Sequence, residues 1–325
     1  MTGRGASVRD RAIEYGYGAA WKIVRALPRS TSQALFRTFA DRTWRRNGAG
    51  VAQLAENLRV VVGPDLPDDE FALLVRDAVR SYARYWCDAF LLPKLTPEQV
   101  LTEIGLDRED VLVENFAAGR GQILCLSHSG NWDLAGAWIT AHGMPLTTVA
   151  ERLKPEGLYE KFLEFRRGLG MEILPLTGGD GSIIDALEDR IRTKHAVVPL
   201  LADRDFSRRG VPVTIFGRRT RMPGGPAILA IRTGAPMYAI GIWYEPDGTA
   251  YASLTPIEVA GPDEGTLAHR VAITTQRMAE ALAADIAQHP ADWHMMARMF
   301  LPDVKPPAPK TPDADATEVA AGAGP

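Results

Sequence analysis

The chain has 325 residues, of which 46% are hydrophobic and 24% are charged, and its formal net charge is -3. This composition is typical of a globular enzyme with one large domain or two small ones, and it argues against a dedicated nucleic-acid-binding protein. The two cysteines, Cys87 and Cys125, lie far apart in apolar surroundings, so neither a disulfide framework nor a zinc site is indicated. We expect neither a signal peptide nor a membrane-spanning helix, because no apolar stretch is long enough.

Residues 1–60 are basic and aromatic, with eleven Arg and Lys against four acidic residues. Apolar residues at helical spacing predict two helices, one on either side of Pro28. The aromatic residues of these helices are Tyr17, Trp21, Phe36, Phe39 and Trp44, and the interleaved arginines are Arg11, Arg25, Arg29, Arg42, Arg45 and Arg46. This pattern is typical of helices that lie in an anionic membrane interface. The alternative is that the apolar faces pack on the protein core and the arginines are solvated.

Residues 61–302 alternate between helical and strand patterns, which predicts an α/β domain with a mostly parallel central sheet flanked by helices. Helices are predicted over 71–91, 133–142, 157–168, 181–193, 226–233 and 266–288. Strands are predicted over 111–114, 123–126, 146–149, 172–174, 196–201, 211–216, 237–244 and 250–258. The last two strands are expected to form a hairpin across Pro246-Asp247-Gly248. Residues 303–325 lack periodicity, and we expect them to be a disordered tail.

One short segment carries the strongest sign of catalysis. The apolar strand Ile123 to Leu126 leads to His128, and five residues after the histidine Asp133 opens a helix. A base, a candidate carboxylate to orient it and the amides of a helix N-terminus are thereby close in sequence. Taken alone, this spacing is also compatible with a core or capping histidine.

Three further groups of residues follow strand ends, where ligands bind in open α/β sheets. Glu151 and Arg152 follow one strand, with Arg166 in the next helix, and Asp203 and Arg204 follow another. Arg218 precedes Gly224 and Gly225, whose amides begin a helix and are expected to be open to an anion. Taken together, these residues predict a site for a substrate with several phosphates or a similar anionic head group. His294, beside Trp293 and Met295, is interpreted either as lining an apolar channel or as part of a packed C-terminal helix.

Other chemistries find less support in the sequence. The glycine-rich segment 176–182 lacks a lysine and matches neither a phosphate-binding loop nor a dinucleotide fingerprint. Ser127 and Ser129 do not lie in the Gly-x-Ser-x-Gly elbow of serine hydrolases. The remaining histidines do not cluster at metal-ligand spacing, so no metal and no cofactor are expected.

The ordered motifs resemble a known superfamily. They are Leu126-Ser-His-Ser-Gly-Asn-Trp-Asp133, Glu151-Arg152, Leu201-Ala-Asp-Arg-Asp205, Pro223-Gly-Gly-Pro-Ala227 and Asp292-Trp-His294. The chain is similar over roughly residues 10–302 to the bacterial lipid acyltransferases that include the lipid A late acyltransferases and the phosphatidylinositol mannoside acyltransferases. The amino-acid sequences of the motifs are most similar to those of the phosphatidylinositol mannoside branch. The resemblance implies a fold like that of glycerol-3-phosphate acyltransferases, with N-terminal helices.

The resemblance also implies a reaction. Members move a fatty acyl group from a carrier thioester to a sugar hydroxyl of a glycolipid at the inner face of the cytoplasmic membrane. It implies His128 as the general base, Asp133 as the motif carboxylate, and palmitoyl-coenzyme A or a similar acyl-CoA as donor, with acyl-carrier protein as the alternative. Asp203 competes with Asp133 for the contact to His128. A peripheral membrane enzyme is therefore expected, and the competing interpretation is an inactive lipid-binding protein with the same fold.

Overall fold

A computed structural model of the chain describes residues 23–151, 156–176, 182–205, 207 and 209–302. The helices are α1 (Arg29–Arg46), α2 (Ala49–Val62), α3 (Asp68–Leu91), α4 (Pro97–Glu103), α5 (Glu109–Ala117), α6 (Trp132–Ala141), α7 (Glu156–Gly168), α8 (Ile183–Lys194), α9 (Gly225–Thr233) and α10 (Leu267–Gln288). The strands are β1 (Ile104–Leu106), β2 (Gln122–Leu126), β3 (Thr147–Ala150), β4 (Glu172–Pro175), β5 (Val197–Leu201), β6 (Val211–Ile215), β7 (Arg218–Met222), β8 (Met237–Tyr244) and β9 (Ala250–Ile257). Residues 1–22 and the predicted tail, 303–325, lie outside the described part of the chain.

The central sheet has the strand order β1-β9-β8-β2-β5. Strand β2 runs parallel to both β5 and β8, and β1 runs parallel to β9. The antiparallel pair is β8–β9, which confirms the hairpin predicted across Pro246-Asp247-Gly248. A second parallel pair, β3–β4, lies beside β5, to which it is linked by a bridge between Leu146 and Val197. The predicted α/β class with a mostly parallel sheet flanked by helices is confirmed.

Both faces of the sheet are covered, which explains why β2 is buried along its whole length. Ile123 and Cys125 face a core shared with α3, α8, α9 and α10, whereas Leu124 and Leu126 face a second core shared with α5, α6 and α7. Alternate residues of a strand point to opposite faces, so a strand between two helical layers reads as a continuous apolar run. This burial holds the end of β2, and with it the residues that follow, in a fixed position.

One predicted element is wrong, and two strands were not predicted. The segment 111–114 is not a strand but part of helix α5, in which Leu112 is buried and Val113 is 38% exposed. Glu109 and Asp110 favour this helix because acidic side chains in the first turn complement the helix dipole. Strand β1 was not predicted at all, since only three residues form it.

Strand β7 was also missed, because its sequence is largely basic. It pairs with β6 in an antiparallel hairpin, so that Thr220 and Met222 are buried while the arginines alternate with them. The connection is Phe216-Gly217, and both residues have positive φ angles of 50° and 69°. Two consecutive positive φ angles are what a two-residue hairpin turn of type I′ requires.

The N-terminal helix that the structure describes, α1, packs on α3, and its two sides differ. Phe36 and Trp44 pack against the protein core, as the alternative interpretation of this region expected. In contrast, Leu35 and Phe39 are 53% and 64% exposed. Spacings of three and four residues place these two side chains on one helix face with Arg42 and Arg46. Within the described part of the chain, no helix is both long and apolar enough to cross a membrane.

Candidate functional site

The site lies where two central strands end side by side. Strands β2 and β5 are parallel and in register, with Leu126 opposite Leu201. His128 follows the first strand by two residues and Asp203 follows the second by two residues, so the pairing carries both side chains to the same edge. The sequence predicted both residues at strand ends, and the sheet register brings them together.

His128 and Asp203 form a hydrogen-bonded dyad. Nδ1 of His128 lies 2.7 Å from Oδ1 of Asp203, and the backbone amide of His128 donates to Oδ2 of the same carboxylate at 2.9 Å. Asp203 is fully buried, whereas the imidazole side chain is 39% exposed. A carboxylate at Nδ1 favours the tautomer that carries its proton there, which leaves Nε2 as the basic nitrogen.

The pKa values of the dyad reflect this pairing. Burial lowers the pKa of His128, but the charge and hydrogen bond of Asp203 outweigh it, and the net pKa is raised above 6.5. Burial raises the pKa of Asp203, yet the charge and hydrogen bonds of His128 dominate and leave it lowered. The carboxylate therefore stays ionised at neutral pH and stabilises the imidazolium that forms when His128 accepts a proton.

A tight turn follows the histidine and starts helix α6. Gly130 has a φ of +55°, and a Cβ atom there would meet the backbone of Ile242 at 2.6 Å, so only glycine fits. The amide of Gly130 donates to the carbonyl of Asp292 at 3.0 Å. Asn131 caps the helix, since its side-chain oxygen accepts from the amide of Leu134 at 3.0 Å. These contacts fix the turn that follows His128.

Asp133 lies in this helix but does not contact the His128 ring. Its carboxylate is almost fully buried and accepts from Nε of Arg166 at 2.7 Å and from the hydroxyl of Tyr85 at 2.9 Å. Burial and the charge of Asp133 raise the pKa of Tyr85 well above 10. For Arg166, burial lowers the pKa but Asp133 raises it more, so the guanidinium is permanently charged. The three side chains join α6, α7 and α3.

The other predicted substrate-binding residues are distributed around the edge of the sheet. Glu151 is exposed just after β3, and Arg152 lies outside the described residues. Arg204 directly follows Asp203, its Nε donates to the carbonyl of Arg298 at 2.9 Å, and its charge opposes protonation of His128. Arg218 begins β7 and is half-buried.

Gly224 and Gly225 begin helix α9, as the sequence predicted. A Cβ atom at Gly224 would lie 2.9 Å from Cγ2 of Val211, and one at Gly225 would lie 3.4 Å from Cδ1 of Ile184. Close packing therefore accounts for the glycine at position 224.

His294 lies behind the dyad in a buried cluster, not in a C-terminal helix. Its backbone amide donates to the carbonyl of His128 at 2.7 Å, and its Nε2 is 2.9 Å from the hydroxyl of Ser81. That hydroxyl also contacts Asp292. Burial, followed by the charge of His128, lowers the pKa of His294 to about 3, so this ring stays neutral. The ring of Tyr82 lies 5.3 Å away.

Sequence reasoning assigned no role to Ser81 and Tyr85, and it considered Trp293 only as a neighbour of His294. Ser81 and Tyr85 lie on α3, and the residues that they contact lie far away in sequence. Trp293 donates from Nε1 to Oδ2 of Asp203 at 3.1 Å and is fully buried. Its only sequence signal was its place in the Asp292-Trp-His294 motif.

Comparison with known proteins agrees with the family resemblance that the sequence motifs indicated. The family described as "Bacterial lipid A biosynthesis acyltransferase" matches residues 6–302. A phosphatidylinositol mannoside acyltransferase of Mycolicibacterium smegmatis is 43% identical over 297 residues, which cover 90% of this chain and 93% of the relative. A protein of the same name from Mycobacterium tuberculosis H37Rv is 40% identical over 307 residues, or 92% of each chain. The match spans both residues of the dyad and the C-terminal segment that contacts it.

Proposed function

Because the chain belongs to the bacterial lipid A biosynthesis acyltransferase family, we propose that it transfers a palmitoyl or similar long-chain acyl group from acyl-coenzyme A to a mannose hydroxyl of a phosphatidylinositol mannoside. The names of its relatives support this acceptor. The observation that carries the chemistry is the 2.7 Å contact between Nδ1 of His128 and Oδ1 of Asp203. It leaves Nε2 of the exposed ring as the base for a substrate hydroxyl.

The reaction proceeds by direct attack of the acceptor on the thioester. Nε2 of His128 removes the proton of the acceptor hydroxyl while the hydroxyl oxygen forms a bond to the carbonyl carbon of the thioester. The π electron pair of the C=O bond moves to the carbonyl oxygen. Collapse of this tetrahedral intermediate breaks the C–S bond, and the departing coenzyme A sulfur takes the proton from the imidazolium. The products are the acylated mannoside and free coenzyme A. Asp203 holds the ring and stabilises its positive charge between the two proton transfers.

The negative charge that develops on the carbonyl oxygen needs hydrogen-bond donors. The amide of Gly130 already donates to Asp292, and Arg166 is held by Asp133. We therefore place the oxyanion at the N-terminal turn of α6, which begins four residues after His128. Helix amides and the helix dipole favour negative charge at that end, and one such donor contributes about 3 kcal/mol in well-studied enzymes.

The substrates approach the same edge of the sheet. The cationic groups of Arg204 and Arg218, with the start of α9 at Gly224 and Gly225, bind phosphates of the donor. Glu151 follows strand β3 at the same edge, and Glu151 and Arg152 bind the polar head of the acceptor. His294 forms part of the inner wall behind His128. The proposed chemistry uses the side chains and the two substrates, without a metal or a further cofactor.

The enzyme works as a peripheral protein at the cytoplasmic face of the plasma membrane. The exposed stripe of α1, formed by Leu35, Phe39, Arg42 and Arg46, supports this placement. Apolar side chains insert shallowly into the lipid, and each nearby cation contributes about 1 kcal/mol on an anionic surface. A glycolipid head group then reaches His128 while its tails remain in the bilayer, and the water-soluble donor arrives from the cytosol.

The test uses the purified full chain, palmitoyl-coenzyme A and a phosphatidylinositol mannoside in mixed micelles. We expect release of free coenzyme A that depends on the acceptor, together with an acceptor that gains one palmitoyl group by mass spectrometry. His128→Ala should abolish transfer while acyl-CoA binding persists, because the base acts on the acceptor.

Other outcomes would replace the proposal. Transfer only from acyl-carrier protein would change the donor, and transfer only to lipid A precursors or other glycolipids would change the acceptor. Lipid binding without any transfer would identify an inactive lipid-binding protein with the same fold.

A further inference from the structure

The segment from Asp292 to His294 contacts residues 128–130, the turn that follows strand β2, at several points. Trp293 forms an antiparallel bridge with Ser129. The amide of His294 donates to the carbonyl of His128 at 2.7 Å, and the carbonyl of Asp292 accepts from the amide of Gly130 at 3.0 Å. The backbone on both sides of Ser129, from the carbonyl of His128 to the amide of Gly130, is therefore paired with this segment.

Between these two backbone bonds, the side chain of Trp293 reaches the other member of the dyad. Its indole Nε1 donates to Oδ2 of Asp203 at 3.1 Å, and the tryptophan has no exposed surface. Oδ2 also accepts the amide of His128, while Oδ1 faces the ring at Nδ1. Asp203 thus accepts one bond through the ring, one through the backbone and one through the indole.

We propose that Trp293 is a positioning residue of the dyad: its indole N–H fixes Oδ2 of Asp203 and so keeps Oδ1 aimed at Nδ1 of His128. The inference rests on the proposed role of His128 as the base. It adds a residue that acts through Asp203 and does not itself touch the substrates.

The physical reason lies in the burial of the carboxylate. Asp203 has no access to solvent, so an oxygen that loses a donor gains no water in exchange. With two donors at Oδ2, the carboxylate plane is held against rotation, and Oδ1 keeps its lone pair directed at the ring. The indole also takes up part of the negative charge, which moderates the pull of Asp203 on the His128 proton.

A matched pair of variants tests the role of the indole. Trp293→Phe removes the donor from Asp203. Trp243 lies on strand β8, and its Nε1 donates to Oε1 of Glu245 at 2.7 Å. Trp243→Phe therefore removes a similar hydrogen bond away from the dyad. We expect Trp293→Phe to lower kcat about tenfold to hundredfold with KM values within about twofold, as loss of one hydrogen bond to a charged group predicts. Trp243→Phe should retain wild-type kcat.

A second variant separates the N–H group from packing. Benzothienylalanine at position 293 keeps the shape of the indole but has sulfur in place of N–H. The groups that act on the titration of His128 are Asp203, Arg204 and His294, and all three are unchanged in this variant. We expect the isostere to reproduce the loss of kcat and to raise the pKa of His128 in ¹⁵N NMR titration of the labelled imidazoles, because Asp203 then attracts the proton more strongly.

Wild-type kcat together with an unchanged His128 titration in the isostere would overturn the inference, and a loss confined to Trp293→Phe would assign Trp293 to packing alone. The NMR comparison needs no substrate. If the wild-type protein transfers no acyl group, the proposed function fails, while the titration still decides whether Trp293 positions the dyad.

Discussion

Nε of Arg166 lies 2.7 Å from Oδ1 of Asp133, so the carboxylate nearest to His128 in sequence binds an arginine from another helix. Asp133 is 2% exposed and Arg166 is 20% exposed at the side chain, which makes this a mostly buried ion pair. Removing one partner leaves an uncompensated charge inside the protein. Arg166→Met should therefore lower the free energy of unfolding by about 3–5 kcal/mol in urea denaturation.

The double variant Asp133→Asn with Arg166→Met should lose less stability than the two single variants added together, because no buried charge is left alone. Arg190→Met, which breaks a more exposed pair with Glu172, is the control and should cost about 1 kcal/mol or less. Equal losses for Arg166→Met and Arg190→Met would contradict the structural role of the pair.

The two aspartates should differ in catalysis. Asp203→Asn should lower kcat by about 10³–10⁴, since an amide at Nδ1 favours the wrong tautomer of His128. Asp133→Asn should lower kcat far less at a temperature where it remains folded, because its carboxylate contacts Tyr85 and Arg166. Steady-state kinetics with circular dichroism to verify folding decides between them, and the reverse order of losses would make Asp133 the orienting residue.

The pH profile of kcat/KM should report the dyad. His128 must be neutral to accept a proton, and Asp203 raises its pKa above 6.5 against the effect of burial. Activity should accordingly rise with pH through an apparent pKa above 6.5. The ion pair stabilises the fold while His128 is protonated, so this contribution is present below about pH 6.5 and is lost as pH rises through the folded pKa. An acid limb below 6.5 would contradict the charge pairing.

The arginines at the sheet edge should act through electrostatics. Arg204→Gln with Arg218→Gln should weaken acyl-CoA binding, and the loss should be larger at about 20 mM salt than at about 500 mM, because salt screens exposed charges. The control is Arg192→Gln with Lys194→Gln on α8, which removes the same charge from another surface. Isothermal titration at both salt concentrations provides the comparison. A salt-independent loss, or equal losses in the control, would rule out this binding surface.

The exposed stripe of α1 should control membrane binding. Arg42→Glu with Arg46→Glu should reduce co-sedimentation with phosphatidylinositol vesicles at least tenfold, since two cations contribute about 1 kcal/mol each and their reversal adds repulsion. Phe39→Ser should weaken binding at all salt concentrations, because Phe39 is 64% exposed and its contribution is apolar. Arg120→Glu, an exposed control outside α1, should bind like the wild type. Binding that does not depend on lipid charge would mean that α1 contributes to the fold and not to membrane binding.

The sequence by itself determined the elements that local periodicity encodes. The apolar run before His128 predicted β2, and the apolar run before Asp203 predicted β5, because strands covered on both faces are continuously hydrophobic. Apolar residues at helical spacing likewise predicted most helices. Local patterns gave the wrong prediction for α5, because its short apolar run resembles that of a strand. They gave no prediction for β7, because its arginines break the apolar pattern expected of a strand.

Only the tertiary structure determines which carboxylate forms a hydrogen bond with the His128 ring. Five residues separate His128 from Asp133 and 75 separate it from Asp203, yet the parallel register of β2 and β5 brings the distant residue to 2.7 Å. Asp133, the nearer of the two in sequence, binds Arg166 instead, because helix α6 directs its side chain away from the strand end. The contact of Trp293, 90 residues beyond Asp203, with that carboxylate could not be predicted from the sequence for the same reason. Side-chain partners depend on strand register and helix orientation, and these are set by packing across the whole core.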